Sequence, residues 1–261
     1  MTTRPADDPI EAAYRALSAA LYAHDGPAAI AAFETLDVST QRDLCQHAGE
    51  AILLGLAQGV SGATGAAGLV INALRQRDAD GDDDLAVEIE AVLGLAAAPD
   101  LRALPIDLDD LTSALEGDPN LTGGRIDLRT GDVHLVSPLF GGDDDIDPDE
   151  GSTEAVIGDG DATGEAEERW LRFDSLGSRA GFDDMRDFLA TVPDERLAGR
   201  LERALGGRGP FRRFKDALAD SPAELARFHR FTDDRRLGRA RAWLAENALR
   251  PDVPASPRQR P

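Results

Sequence analysis

The sequence predicts an α+β protein: an N-terminal helical bundle, then a small antiparallel sheet (a hairpin plus at least one strand) packed with C-terminal helices. Three observations carry this expectation. The first hundred residues place small and apolar side chains at helical spacing. One stretch, 125–136, switches to strict alternation around Thr130-Gly131. From Phe182 onward helical spacing returns, now with arginines between the apolar positions. Apolar residues at i, i+3 and i+4 form one stripe of a helix, whereas alternation forms one face of a strand.

In the N-terminal part, residues 10–23 carry Ala13, Leu17, Ala20 and Leu21 on one face, and residues 28–36 continue the pattern. Ser39 or Thr40 is the expected N-cap of a helix running from Gln41 towards Leu56, because either hydroxyl can accept a bond from a free first-turn N–H. Residues 65–75 and 85–95 are the next two helices. Residues 51–74 contain no charged side chain and are long enough to cross a bilayer. Gly55, Gly59, Gly62, Gly65 and Gly68 interrupt them, however, and Gly59-Val60-Ser61-Gly62 reads as a turn between two buried helices. No membrane span is expected. Five short helices with small-residue contacts form a compact bundle, assigned to residues 1–100.

Asp107 is the expected N-cap of a helix ending near Leu115. Arg125 to Arg129 and Asp132 to Val136 then alternate around Thr130-Gly131, a hairpin in which glycine supplies the positive φ of a tight turn. A third strand is expected at 170–173, since a lone hairpin is seldom stable in water. Residues 141–168 are rich in aspartate and glycine and read as an acidic disordered insertion. The α+β domain is therefore assigned to residues 101–140 and 169–250.

Its helices follow from apolar stripes: Phe182, Met185, Leu189 and Val192; Leu197, Leu201 and Leu205; Phe211, Phe214 and Leu218. Ser221-Pro222-Ala223-Glu224 is a helix start, with serine as cap, proline at the first position and glutamate reaching back. A last helix is expected over 235–247, burying Leu237, Ala240, Trp243 and Leu244. Residues 251–261 read as a flexible tail.

The net charge of −21 is unevenly placed. Residues 196–261 hold 16 Arg and Lys against 8 Asp and Glu, and the rest of the chain 12 against 41. Such segregation produces self-attraction between the parts or a basic face for an anionic partner. Lys215 is the only lysine, a bias that points to a GC-rich bacterial genome. Cys45 is the only cysteine, which excludes an intramolecular disulfide framework and fits a reducing, cytoplasmic compartment.

The run Gly207-Arg208-Gly209-Pro210-Phe211-Arg212-Arg213-Phe214-Lys215-Asp216 resembles the signature of a bacterial group known as uncharacterised protein family (UPF) number 158. Ile126 to Val133 is similar to the family's hairpin, Met185-Arg186-Asp187-Phe188 to its Met-x-x-Phe helix, and Ala240 to Leu244 to its closing Ala-x-x-Trp-Leu helix. The resemblance spans residues 108–249. Pro210 stands where the family usually has alanine and Phe228 where it often has tryptophan. The resemblance implies a fold and brings no activity.

Candidate chemistry is sparse. The loop Gly206 to Gly209 opens a helix, and its free N–H groups with Arg208 could hold an anion; a glycine turn between helices is the bland alternative. Arg208, Arg212, Arg213 and Lys215, together with Arg235, Arg236 and Arg239, are the candidate anion- or partner-binding residues; Arg212, Arg213 and Lys215 share their helix with Phe211 and Phe214, which are expected to be buried. The aspartates starting at Asp78 fail a calcium loop, because Asp83 replaces its glycine and Ile89 its bidentate glutamate. His24, His47, His134 and His229 lack metal-ligand spacing. Cys45 and His47 lie two apart and point in different directions on a helix. Asp127 and Asp132 are assigned to turn stabilisation. No cofactor, metal or catalytic residue is expected. The expected function is a non-enzymatic protein-binding or regulatory module. Nucleic-acid binding through the basic C-terminal helices, and an enzyme without a recognisable motif, are the alternatives.

Overall fold

The computed structural model describes residues 8–116, 123–136 and 169–257 and has an α+β architecture. Its N-terminal helices are α1 (Pro9–Tyr22), α2 (Gly26–Phe33), α3 (Cys45–Ala57), α4 (Ala63–Arg77) and α5 (Asp82–Val92), with a 3-10 turn at Arg42–Leu44 leading into α3. Asp8 and Asp25 cap α1 and α2 by accepting from Ile10 N and Ala28 N, and proline sits in the first turn of each. Gly59 and Gly62, both at positive φ, make the turn between α3 and α4. The apolar faces close on one core in which Leu17, Ile52, Leu74, Leu85 and Ile89 are fully buried. Among the described residues no helix is long and apolar enough to cross a membrane.

The chain continues through β1 (Arg102–Leu104) and α6 (Leu108–Glu116). β2 (Gly123–Asp127) and β3 (Val133–Val136) form the expected hairpin, and β4 (Trp170–Asp174) pairs antiparallel with the other edge of β2. Gly131 has a φ of 81° where a Cβ would stand 2.4 Å from the Pro105 carbonyl oxygen, so the hairpin loop needs glycine twice over. Asp127 and Asp132 both stabilise this turn. The Asp127 carboxylate accepts from Arg129 N at 2.8 Å and pairs with Arg169, while Asp132 accepts from the Thr130 hydroxyl at 2.7 Å. Ile126 and Phe173 turn into a second core with Leu111, Leu115, Ala240 and Leu244. The region of the expected acidic insertion, 141–168, lies outside the described residues.

The remaining helices are α7 (Gly177–Leu189), α8 (Glu195–Leu205), α9 (Pro210–Ala219) and α10 (Pro222–Glu246), followed by β5 (Leu249–Pro251). A third core gathers Met185, Leu201, Phe214 and Phe228, with the Phe188 ring edge-on to Phe228 and Phe231 at centroid distances of 5.0 and 5.6 Å.

Several expectations are corrected. Neither Ser39 nor Thr40 caps α3; their hydroxyls bond to Asp37, and α3 starts only at Cys45. The two helices expected after Ser221 are one continuous 25-residue helix, because Leu225 to Asp234 between them contain neither glycine nor proline. Ser221 makes no side-chain cap, and Glu224 pairs with Arg227 at 2.7 Å instead of reaching back. Phe211 is 38% exposed, so Phe214 and Leu218 alone anchor α9. The segment read as a flexible tail begins inside the fold. Leu249–Pro251 pairs in parallel with β1, Asp252 N donates to Leu104 O, and Val253 packs on the N-terminal core. A parallel pair of three-residue strands carries no period long enough to be read from sequence.

The helix α10 also meets the turn between α4 and α5 backbone to backbone. A Cβ on Gly238 would stand 2.2 Å from the Asp80 carbonyl oxygen, and one on Gly81 2.1 Å from that of Gly238. Helix propensity alone favours Ala over Gly by about 1 kcal/mol. Gly238→Ala is nevertheless expected to destabilise the chain by about 1–3 kcal/mol, the usual penalty of overpacking. Urea unfolding checks this; a stabilised variant would contradict the close approach.

Candidate functional site

The joint between the N-terminal helices and α10 is built around one carboxylate. Asp234 is fully buried in mid-helix. It accepts from the backbone N–H groups of Gln46 and His47 at 3.2 and 3.0 Å, and from His47 Nδ1 at 2.8 Å. Arg77 closes the set with a short ion pair. The first-turn N–H groups of α3 have no local cap, so Asp234 caps that helix from another part of the chain. Arg77 also binds Asp82, which accepts from Gln46 Nε2 at 2.8 Å. Around this centre, Arg230 reaches Glu11 at 2.8 Å and Asp43 at 3.3 Å. Arg241 lies between Glu50 and Glu88, 2.6 Å from the latter.

Beside the joint lies a cavity of about 600 Å³. α1 contributes Tyr14 and Ser18, α3 His47, Glu50 and Leu54, α6 Asp109 and Thr112, α10 Asp233, Arg236 and Arg241, and the C-terminal segment Asp252 and Val253. The Tyr14 hydroxyl donates to Asp233 at 3.1 Å, and its ring stands edge-on to His47 with centroids 5.2 Å apart. Nδ1 of His47 faces Asp234, and the residue forms part of the cavity wall. Among the described residues no group of three or more His, Cys, Asp or Glu side chains could hold a metal ion.

The charges follow from burial and partners. Burial by itself would raise the Asp234 pKa, yet Arg77 and the His47 bond hold it well below the ordinary carboxylate range. For His47 burial favours the neutral ring, but the Asp234 hydrogen bond and charge outweigh it and raise the pKa, with Asp233 and Asp109 adding to the effect. Burial pushes Glu50 up in spite of Arg241, and Tyr14 up with help from Asp233. Burial likewise pushes the Cys45 thiol up to about 12, which makes it an inert core residue.

The sequence-predicted site residues divide into two groups. Arg208, Arg212, Arg213 and Lys215 are exposed on α9 and the loop before it. Arg213 folds its guanidinium back over Gly207, where any Cβ would collide with it, and Arg212 makes a loose 3.7 Å pair with Asp216. Arg235, Arg236 and Arg239 belong to a different surface and face carboxylates. Arg239 binds Asp184 through both guanidinium nitrogens at 2.9 Å, Arg235 reaches Asp187 at 3.4 Å, and Arg236 pairs with Glu116 and Asp233. The two groups do not converge on one site. The joint itself went unread in the sequence, although a signal was there. Arg230, Asp234, Leu237, Gly238 and Arg241 share one helical stripe, and charged residues on a buried stripe mark a polar contact.

Asp234→Ala leaves His47 and two helix-start N–H groups unanswered and Arg77 with Asp82 alone, so a loss of about 3–5 kcal/mol is expected in urea unfolding. A loss below about 1 kcal/mol, the range of surface pairs, would contradict this role. The folded-state pKa of His47 lies above its unfolded value of 6.5. The pair therefore contributes fully below that unfolded value and its contribution is lost as pH rises through the folded one. Stability measured from pH 6 upward is expected to fall with pH in the wild type, and His47→Gln to flatten that part of the profile.

The described cavity is formed jointly by residues inside and outside a recognised family region. Residues 159–256 match the family model described as Uncharacterised protein family (UPF0158). That match takes in α7 to α10 and β5 and starts beyond the Thr130-Gly131 hairpin. A UPF0158 protein of Pseudomonas aeruginosa is 32% identical over 158 residues, covering 60% of this chain and 92% of the relative. No solved structure matches the chain. With the relative aligned along nearly its whole length and the family region carrying Asp234, the chain belongs to the uncharacterised protein family UPF0158.

Proposed function

We propose that this chain is a non-enzymatic binding or regulatory module that holds a small molecule in the cavity between its N-terminal helices and α10. The observation that carries this reading is the cavity itself. Its volume of about 600 Å³ falls in the ordinary range for small-molecule sites, roughly 300–1,000 Å³. It mixes apolar walls (Leu21, Leu53, Leu54, Val253) with convergent polar groups held in place by ion pairs. Because α1, α3 and α10 all contribute to the wall, an occupant would bias how the N-terminal helices sit on the family region. A protein partner reading that arrangement is the proposed output, and the cytoplasm the proposed compartment, in keeping with a single buried thiol.

The nucleic-acid reading is weaker on these grounds. Arg230, Arg235, Arg236, Arg239 and Arg241 already face carboxylates of their own chain, and of the candidate residues the α9 group alone is left to meet phosphates. An enzyme is the second reading, favoured by one observation: Asp234 orients His47 as a carboxylate orients a catalytic base. Mass analysis of any bound compound after incubation separates the two, since a binding module returns it unchanged.

The test is a thermal-shift screen of small metabolites on the full chain and on Ser113→Trp, a bulky substitution at an exposed position lining the cavity. A ligand at a hundredfold excess over its Kd adds about 2.7 kcal/mol. For a protein of this size that is a Tm rise of roughly 5–10 °C. Compounds that stabilise the wild type and lose their effect on Ser113→Trp are the expected result. A screen without such compounds would remove the reading.

A further inference from the structure

We infer that the exposed basic face of α9 is a docking surface for the acidic segment 141–168 of its own chain. The inference is independent of the cavity reading and concerns the cations that the ion pairs of the joint leave over.

Three observations carry it. The first is the face itself. Arg208, Arg212, Arg213 and Lys215 are all exposed. Among the described residues the one ion pair that any of them makes is the 3.7 Å contact of Arg212 with Asp216, whose side chains are 90% and 69% exposed. Arg212 and Lys215 lie three apart on one helix and repel each other, and an anionic partner removes that repulsion. The second observation is composition. Residues 141–168 lie outside the described residues, and their sequence holds twelve Asp and Glu and neither Lys nor Arg. Six of the twelve fall between Asp143 and Glu150.

The third is where that segment leaves the fold. Gly123 of β2 pairs with Val136 of β3 on one side and with Asp174 of β4 on the other. Val136 and Asp174 therefore stand at the same end of the sheet, two strand spacings or roughly 10 Å apart. α7 begins three residues after Asp174, and a Cβ on its Gly181 would stand 3.2 Å from the Phe211 ring at the start of α9. These steps together put the start of α9 within roughly 30 Å of Val136. The fourteen residues from Ser137 to Glu150 reach up to roughly 46–50 Å when extended. The acidic cluster thus reaches the basic face with length to spare.

Single ion pairs at such an exposed face are weak. Tethering changes the balance, because a segment of the same chain meets the face at an effective concentration on the order of millimolar, and several weak pairs then act together. The same bookkeeping of charge disfavours nucleic acid, which would approach a chain of net charge −21. The segment's own carboxylates are already part of that total.

Lys215 is the chain's only lysine, so a carbodiimide, which joins an amine to a carboxylate in direct contact with it, reports what faces α9. The full chain is treated at low ionic strength and the partner of Lys215 is read by peptide mass spectrometry. The expected product is a monomer in which Lys215 is joined to a carboxylate of residues 141–168. Its yield is expected to fall at least about tenfold in roughly 1 M salt, where the Debye length is about 3 Å. A second measurement uses the variant with Asp143, Asp144, Asp145, Asp147 and Asp149 replaced by Asn and Glu150 by Gln. With α9 vacated, this variant is expected to bind a labelled deca-aspartate peptide about tenfold tighter than the wild type at low salt. Adding Arg212→Gln and Lys215→Gln is expected to abolish that gain, and unchanged unfolding curves show that both variants are folded. Lys215 joined to described carboxylates alone, or to none, overturns the inference. A covalent dimer linking Lys215 of one copy to residues 141–168 of another overturns it in favour of a second copy. Equal binding of the peptide by the wild type and the six-fold variant also overturns it. So does a single-stranded DNA decamer that binds the wild type more tightly than the peptide does, which would assign the face to nucleic acid.

Discussion

A buried carboxylate must be answered, and the arrangement of this molecule follows from how Asp234 is answered. An ionised side chain in the interior survives only with charge and hydrogen bonds around it. Asp234 obtains them from two separate segments: the start of α3, through the Gln46 and His47 N–H groups and the His47 ring, and the end of α4, through Arg77. Moving any of these away strands a charge, so the N-terminal helices and α10 are held in one register. The same bonds fix His47 in the wall of the cavity. Position of the helices and presentation of the candidate site thus have one physical cause.

The segregation of charge along the chain has its explanation here as well. The surplus of arginine after residue 196 is largely a surplus of partners. Arg230 meets Glu11 and Asp43, Arg241 meets Glu50 and Glu88, and Arg250 meets Glu88 again. Each of these pairs joins α10 or β5 to the N-terminal helices. Pairs of this kind contribute little net stability over an apolar contact of equal size, but a mismatched register leaves charges buried and alone. They select one docking of the two parts over others. The α9 group stands apart from this scheme, since its arginines and lysine remain exposed and make little contact with acidic residues.

Much of the fold was legible because it rests on local rules. The helices α1, α4, α8 and α9, the Gly59 to Gly62 turn, the Thr130-Gly131 hairpin and the strand at Trp170 all follow from periodicity and turn chemistry, within a few residues of where they occur. The errors fall where a distant residue overrides a local choice. Ser39 and Thr40 looked like caps, but Asp37 takes their hydroxyls and Asp234 caps α3 from 188 residues away. Gly238, a poor helix former by its own propensity, is where two backbones touch. Pro251 and Val253 looked like the start of a tail and are held by β1 and the N-terminal core.

The candidate site shows the same division. Composition and spacing by themselves determined an α+β chain with a hairpin, a helical N-terminal part and a C-terminal part rich in arginine, because each of these is written in neighbouring residues. They also singled out Arg208, Arg212, Arg213 and Lys215, whose exposure agrees with their lack of a packing role. Which arginines are free and which are matched was decided only by the tertiary structure, as was the meeting of His47 with Asp234. A salt bridge or a cavity is a relation between segments far apart in sequence. No local pattern records which carboxylate a guanidinium will find once the cores have closed.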